Sequence, residues 1–212
     1  MKQVEIFDKN VQEYEAWYEK YPFVYESELI AIREQLRKLP ENLRGIEIGL
    51  NTGRFALPLG IKEGIEPASE MAEIARKKGI EVMEEMAEGM PYSDLSFDFV
   101  LFVTVCHLND LKEALKESGR VLKRNGSLII GFIDNDGKIA GSYKEKREWS
   151  TFYKHAKFWS VGEIQDLLNE TGFKDMEFNQ TLFGDIDDIK EVEFPKEGYG
   201  EGSFVVVKAT KK

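Results

Sequence analysis

Glu47 stands inside the apolar run Gly45–Leu50, and behind it the chain alternates Gly49, Asn51 and Gly53. A carboxylate in a buried strand needs a partner, because an isolated charge is costly to remove from water. Glycines in the following turn permit positive φ and let a ligand lie against the main chain. The helix expected next would aim its free N–H groups at the same place. A second acid, Glu66, closes the next apolar run, about twenty residues on, the offset at which a strand-ending acid meets a ribose diol. The competing reading is a tight strand-to-helix turn with no ligand.

The residue types narrow the ligand. A triphosphate loop would read GxxxxGK[ST], and no lysine follows Gly53. A dinucleotide fingerprint would read GxGxxG, but Asn51 and Arg54 stand where its second and third glycines belong. A pyrophosphate would also be repelled by Glu47. A ligand with a cationic, amino-acid-like end and a ribose satisfies both acids. Cys106 and His107 follow a further apolar run, Ser96–Val105. An imidazole titrates near neutrality, so His107 is a candidate base for removing a proton from a substrate. Its alternative role is a wall residue. Cys106, His107 and His155 share no ligand spacing, so no metal site is read from them.

The elements that must position these residues alternate. Strands are expected over 44–50, 61–67, 80–88, 96–105 and 125–134, with helices over 68–79 and 111–123 between them. The nearly unbroken apolar run of 96–105 suits a strand covered on both faces. Such alternation with short connections gives a mainly parallel sheet with helices on both faces. Before it, 11–23 carries Tyr14, Trp17, Tyr18 and Tyr21 at helical spacing and should stop at Pro22, and 26–40 should form a second helix opened by Ser27. After it, 135–159 is polar and aromatic and reads as an insertion or lid. Ser160 with Glu163 forms a capping box for a helix to 173, and strands should follow at 174–182 and 203–210. The layout is one domain: a helical cap (1–43), a ligand-binding core (44–134), the lid (135–159) and a C-terminal helix with strands (160–212).

The totals set limits. The 212 residues carry a net charge of −10, which argues against nucleic acid or an anionic membrane as partner. The single cysteine excludes an internal disulfide. No apolar run reaches the roughly 18 residues of a membrane span, and the first twenty residues lack a signal-peptide core. A cytoplasmic location is the expectation.

The segments EIGLNTG, IEPASEM, AEGMPY, SFDFVLFVTVCH and RVLKRNGSLIIGF occur in an order and spacing that resembles class I S-adenosylmethionine-dependent methyltransferases, in particular the methyltransferase type 11 group. S-adenosylmethionine is a nucleoside with a cationic amino-acid tail, as the two acids require. The resemblance implies an α/β, doubly wound, seven-stranded, mostly parallel Rossmann-like sheet with helices on both faces and an antiparallel last strand. It implies S-adenosylmethionine as cofactor, bound by Glu47, Gly49, Asn51, Gly53 and Glu66. It adds Pro67 and Met71 near adenine and ribose, Ala87 and Glu88 beside the adenine, and Thr104 beside the sulfonium. Met86 stands where the family often has an aspartate, which removes one expected hydrogen bond. The implied reaction is in-line transfer of a methyl group to a small-molecule acceptor, in a pocket lined by Tyr14, Tyr18, His107 and Trp159, with His107 as the candidate catalytic residue. Two other functions stay open: a nicotinamide-dependent oxidoreductase on a similar fold, and a cofactor-binding regulator that does not catalyse.

Overall fold

The computed structural model describes residues 2–212. Three helices come first: α1 (Lys2–Lys9), α2 (Val11–Lys20) and α3 (Pro22–Leu36). The α/β core follows with β1 (Gly45–Ile48), α4 (Ala56–Leu59), β2 (Glu63–Ile65), α5 (Ser69–Lys77), β3 (Glu81–Met83), β4 (Phe97–Val103), α6 (Leu111–Val121) and β5 (Leu122–Ile133). The rest is α7 (Lys138–Glu145), α8 (Val161–Glu170), β6 (Phe173–Thr181), β7 (Lys196–Glu197) and β8 (Phe204–Lys211).

One sheet carries all the strands, in the order β3-β2-β1-β4-β5-β8-β6-β7. Strands β1 to β5 pair in parallel, and β8 runs antiparallel between β5 and β6. The expected seven strands become eight because the two-residue β7 adds itself to the free edge of β6. Its residues, Lys196 and Glu197, are polar and exposed, so no hydrophobic alternation announces them.

Two apolar layers sandwich the sheet. On one face α3 and α5 meet Leu101, Ile129, Phe204 and Val206. On the other, α6 and α8 cover Ile46, Ile48, Val100, Leu128, Ile130 and Val207. Strand β4 feeds both layers, which is why its sequence is apolar nearly throughout. Each fully buried phenylalanine, such as Phe97, Phe102 or Phe132, contributes about 1.5–3 kcal/mol. Helix α8 opens with the expected capping box between Ser160 and Glu163.

The N-terminal region departs from its sequence reading. The helix does stop at Pro22, since α2 ends at Lys20, but Pro22 also opens α3 in its first turn, where a missing N–H costs nothing. Ser27 is consequently inside α3, where its hydroxyl donates to the Phe23 carbonyl and accepts from the Glu193 N–H. Helix α1 has no counterpart in the sequence reading. The expected lid, 135–159, contains α7 and two short 3₁₀ turns. No described helix is long and apolar enough to cross a membrane.

Candidate active site

The site is built where β1 and β4, neighbours at the middle of the sheet, end side by side. The loop leaving β1 is held from beneath, since the Gly49 and Leu50 N–H groups both donate to the Ile65 carbonyl. Gly49, Asn51 and Gly53 all take positive φ, at 70°, 52° and 79°. Asparagine tolerates that region, and its side-chain amide donates to the Gly49 carbonyl at 2.9 Å. A Cβ on Gly49 would meet nothing within 4 Å, because it would project into an open cavity. Gly53 is glycine for a different reason: a Cβ there would lie 2.4 Å from Ile80 Cδ1.

The two acids differ in how they are satisfied. Glu66 receives the Asn51 N–H on Oε2 and the Ala68 N–H on Oε1, each at 2.8 Å. Each oxygen keeps a lone pair for a further donor. Glu47 is 1% exposed, and its Oε2 has no partner among the described residues. Burial pushes Glu66 up to about 7 and Glu47 well above the usual carboxylate range. Two buried acids side by side, one with an orphaned oxygen, form a receptor for cations and hydroxyl donors.

The cavity above them has a volume of about 160 Å³, and a single water needs only about 10–15 Å³ on this scale. It is therefore a ligand chamber. Thr104 ends β4 at its edge with φ 60° and ψ 63°, an outlier for a β-branched residue and the kind of strain that collects at functional sites. The roof is aromatic. Tyr14 and Tyr18 share a hydroxyl–hydroxyl hydrogen bond of 2.8 Å. Phe7 lies 5.1 Å from the His107 ring, edge on, and 5.1 Å from Phe152. Tyr143 and Tyr153 stack at 4.0 Å. The roof is tied to the loop, because Glu15 of α2 pairs with Arg54 and accepts from the Thr52 hydroxyl.

Most of the residues singled out in the sequence line this chamber: Tyr14, Tyr18, Glu47, Gly49, Asn51, Glu66, Pro67, Ala87, Thr104 and His107, together with Met86. Others lie off its wall. Gly53 packs against Ile80, and Met71 is fully buried in the protein interior. Glu88 turns away to accept the Asp110 N–H ahead of α6. Trp159 packs on the α6–α8 side with Lys157 over its ring, 3.4 Å from the centroid. The sequence reading took it for a chamber residue because it sits in an aromatic segment. The bridge between Asp134 and Trp159 turns it to the opposite face.

The rings of Phe7 and Tyr153 flank His107, and desolvation among them brings its pKa down to about 4. It is neutral at physiological pH. Cys106, which is buried, is pushed up to about 12 and stays a thiol. No cluster of His, Cys, Asp and Glu able to hold a metal ion forms among the described residues.

Lining residues absent from the sequence reading are Val4, Phe7, Glu28, Ile133, Ile139, Tyr143, Leu182 and Ile186. Glu28 had a signal. It falls on the α3 stripe of Val24, Ala31, Ile32 and Gln35, a carboxylate among residues that all turn inward.

Comparison with known proteins agrees with this geometry. Residues 46–130 match the methyltransferase domain family. A Thermotoga maritima protein of known structure, described as a SAM-dependent methyltransferase and possible histamine N-methyltransferase, is 46% identical. The match covers 99% of this chain and 100% of that one, with a TM-score of 0.93. An uncharacterized protein of Methanocaldococcus jannaschii is 44% identical over 97% of this chain and 98% of its own length. An N-methyltransferase of Haemonchus contortus, solved with S-adenosylhomocysteine, shares the fold at 16% identity and a TM-score of 0.64, over 86% of this chain and 52% of that one. The chain belongs to the class I S-adenosylmethionine-dependent methyltransferases, and its cofactor is S-adenosylmethionine. The loop fits that cofactor. The orphaned Glu47 oxygen suits an ammonium group, and the space at Gly49 admits a ligand against the main chain.

Proposed function

We propose that the protein methylates a small-molecule acceptor held inside the chamber, by in-line displacement at the sulfonium methyl. The observation that carries this reading is the enclosure. Phe7, Tyr14, Tyr18, Phe152 and Tyr153 wall the space beside Thr104, which supports a compact acceptor. The description of the Thermotoga maritima relative as a possible histamine N-methyltransferase points the same way.

In this reading Glu66 holds the ribose hydroxyls, Glu47 holds the ammonium of the methionine end, and Met86 and Ala87 border the base. When bound, the cofactor supplies a methyl group already activated on sulfur. The chain's work is alignment at about 3 Å and exclusion of water. The aromatic rings offer negative faces to a sulfonium. The sequence reading made His107 a candidate base. A group with a pKa near 4 holds a proton weakly at neutral pH, so we assign His107 as an uncharged wall that does not repel the sulfonium. His107→Phe should keep turnover within about threefold, whereas a loss of about a hundredfold would reinstate the base.

The function is tested with methyl-labelled cofactor and a cell extract split by dialysis. Label should appear in dialysable compounds. Label found only in protein or RNA would reject the small-molecule acceptor.

A further inference from the structure

Among the described residues three carboxylates line the chamber, Glu28, Glu47 and Glu66, and no lysine or arginine does. The proposed cofactor assignment uses Glu47 and Glu66. Glu28 is left over. It is 6% exposed, and among the described residues no cation pairs with it and no donor hydrogen-bonds its carboxyl. A carboxyl kept dry and unpartnered is costly, and a neutral side chain of similar size would serve the core better.

The fold places it along the chamber. Helix α3, which carries Glu28, packs on β5, β8 and β6, whereas Glu47 lies in β1 and Glu66 just beyond β2, on the other side of β4 in the sheet. Glu28 therefore enters the cavity from the side away from the cofactor acids. Trp17, Tyr18, Tyr143 and Tyr153 line the same cavity and give that end aromatic walls. A buried carboxylate with ring faces around it is complementary to an ammonium group, through a charge-assisted hydrogen bond and cation–π attraction. An anionic acceptor would meet three acids and, among the described lining residues, no lysine or arginine.

We propose that Glu28 binds a protonated amine of the methyl acceptor, so that the substrate is a small, largely apolar or aromatic molecule carrying an ammonium group at the end away from the cofactor loop. The assignment rests on the small-molecule methyltransferase reading. A nitrogen held as ammonium has no free electron pair. The methyl group therefore goes to another atom of the acceptor, nearer Thr104 and His107. Glu28 determines specificity by position and charge and takes no part in the bond exchange.

The test uses the full chain loaded with S-adenosylhomocysteine and calorimetry with phenethylamine, tyramine, histamine and tryptamine, each set against the alcohol that replaces the amine. Wild type should bind at least one amine, and that amine at least about tenfold more tightly than its alcohol. Glu28→Gln should weaken that amine at least about tenfold, erase the preference over the alcohol and leave S-adenosylhomocysteine affinity unchanged. Near pH 7 the free carboxyl is protonated, since burial pushes it to about 8. Amine binding should then release close to one proton, read as a dependence of the heat on buffer ionisation, and Glu28→Gln should show none. Equal amine affinity in wild type and Glu28→Gln, or no amine binding beside normal cofactor binding, would overturn the Glu28 assignment alone. Failure to bind S-adenosylhomocysteine would overturn the methyltransferase reading and this one with it.

Discussion

The two ends of the chamber are made differently. At the cofactor end, backbone does most of the work: N–H groups of Asn51 and Ala68 fix Glu66, and the bare Cα of Gly49 leaves the floor open. At the other end side chains do it, with Glu28 supplied by α3 and Tyr143 and Tyr153 by the lid segment. A backbone cradle tolerates little change and recognises one ligand. A side-chain wall can be rebuilt one residue at a time, which suits a family with one cofactor and many acceptors. The acids follow the same division, since Glu66 is hydrogen-bonded and Glu28 is bare.

The sharpest way to break that contrast is at the floor. Gly49→Leu should lower cofactor affinity by roughly a hundredfold or more, about 2.7 kcal/mol, by filling the cavity; positive φ adds roughly 1–2 kcal/mol of strain, read as a lower Tm. Calorimetry with unchanged affinity would mean that the floor is not the cofactor site. The next effect is on stability. Glu28 is raised from the ordinary value to about 8 in the folded state. The folded protein thus binds more protons, and the stability this gives is full below the unfolded value and lost as pH rises through 8. Wild type and Glu28→Gln should be equally stable near pH 5, with the variant more stable near pH 9 by on the order of a few kcal/mol. Parallel denaturation curves at both pH values would show that Glu28 is solvated. Glu66→Ala should cost about 1–3 kcal/mol of cofactor affinity by calorimetry and little acceptor affinity. The smallest effect is at the tie between roof and loop. Glu15→Ala should cost about 1 kcal/mol or less, because that ion pair is partly exposed, and should make α1–α2 easier for a protease to clip.

The cofactor end was far more legible in the sequence than the acceptor end, and the contrast explains why. Glu47, Gly49, Asn51 and Glu66 lie within one strand–turn–strand unit, so spacing alone brings them together. Gly53 in the same unit and Met71 in α5 just after it face the protein interior, since periodicity reports burial and not which cavity is lined. Glu28 is far in the chain from Tyr143 and Tyr153, and the three meet only through tertiary packing. Trp159 went astray for the same reason. The helices at the N-terminus were recognised as a cap, but their boundaries were not, because Pro22 is equally at home ending one helix and starting another. The antiparallel last strand was anticipated; β7 was too short and too polar to be seen.

One tie couples the loop to the roof. Asn51 donates to Glu66, and Thr52 and Arg54, its near neighbours, hold Glu15 of α2. The segment proposed to hold the nucleoside is the segment that latches the roof. Whatever steadies one steadies the other by the same free energy, in both directions. Nucleoside binding and closure of the roof should therefore each favour the other.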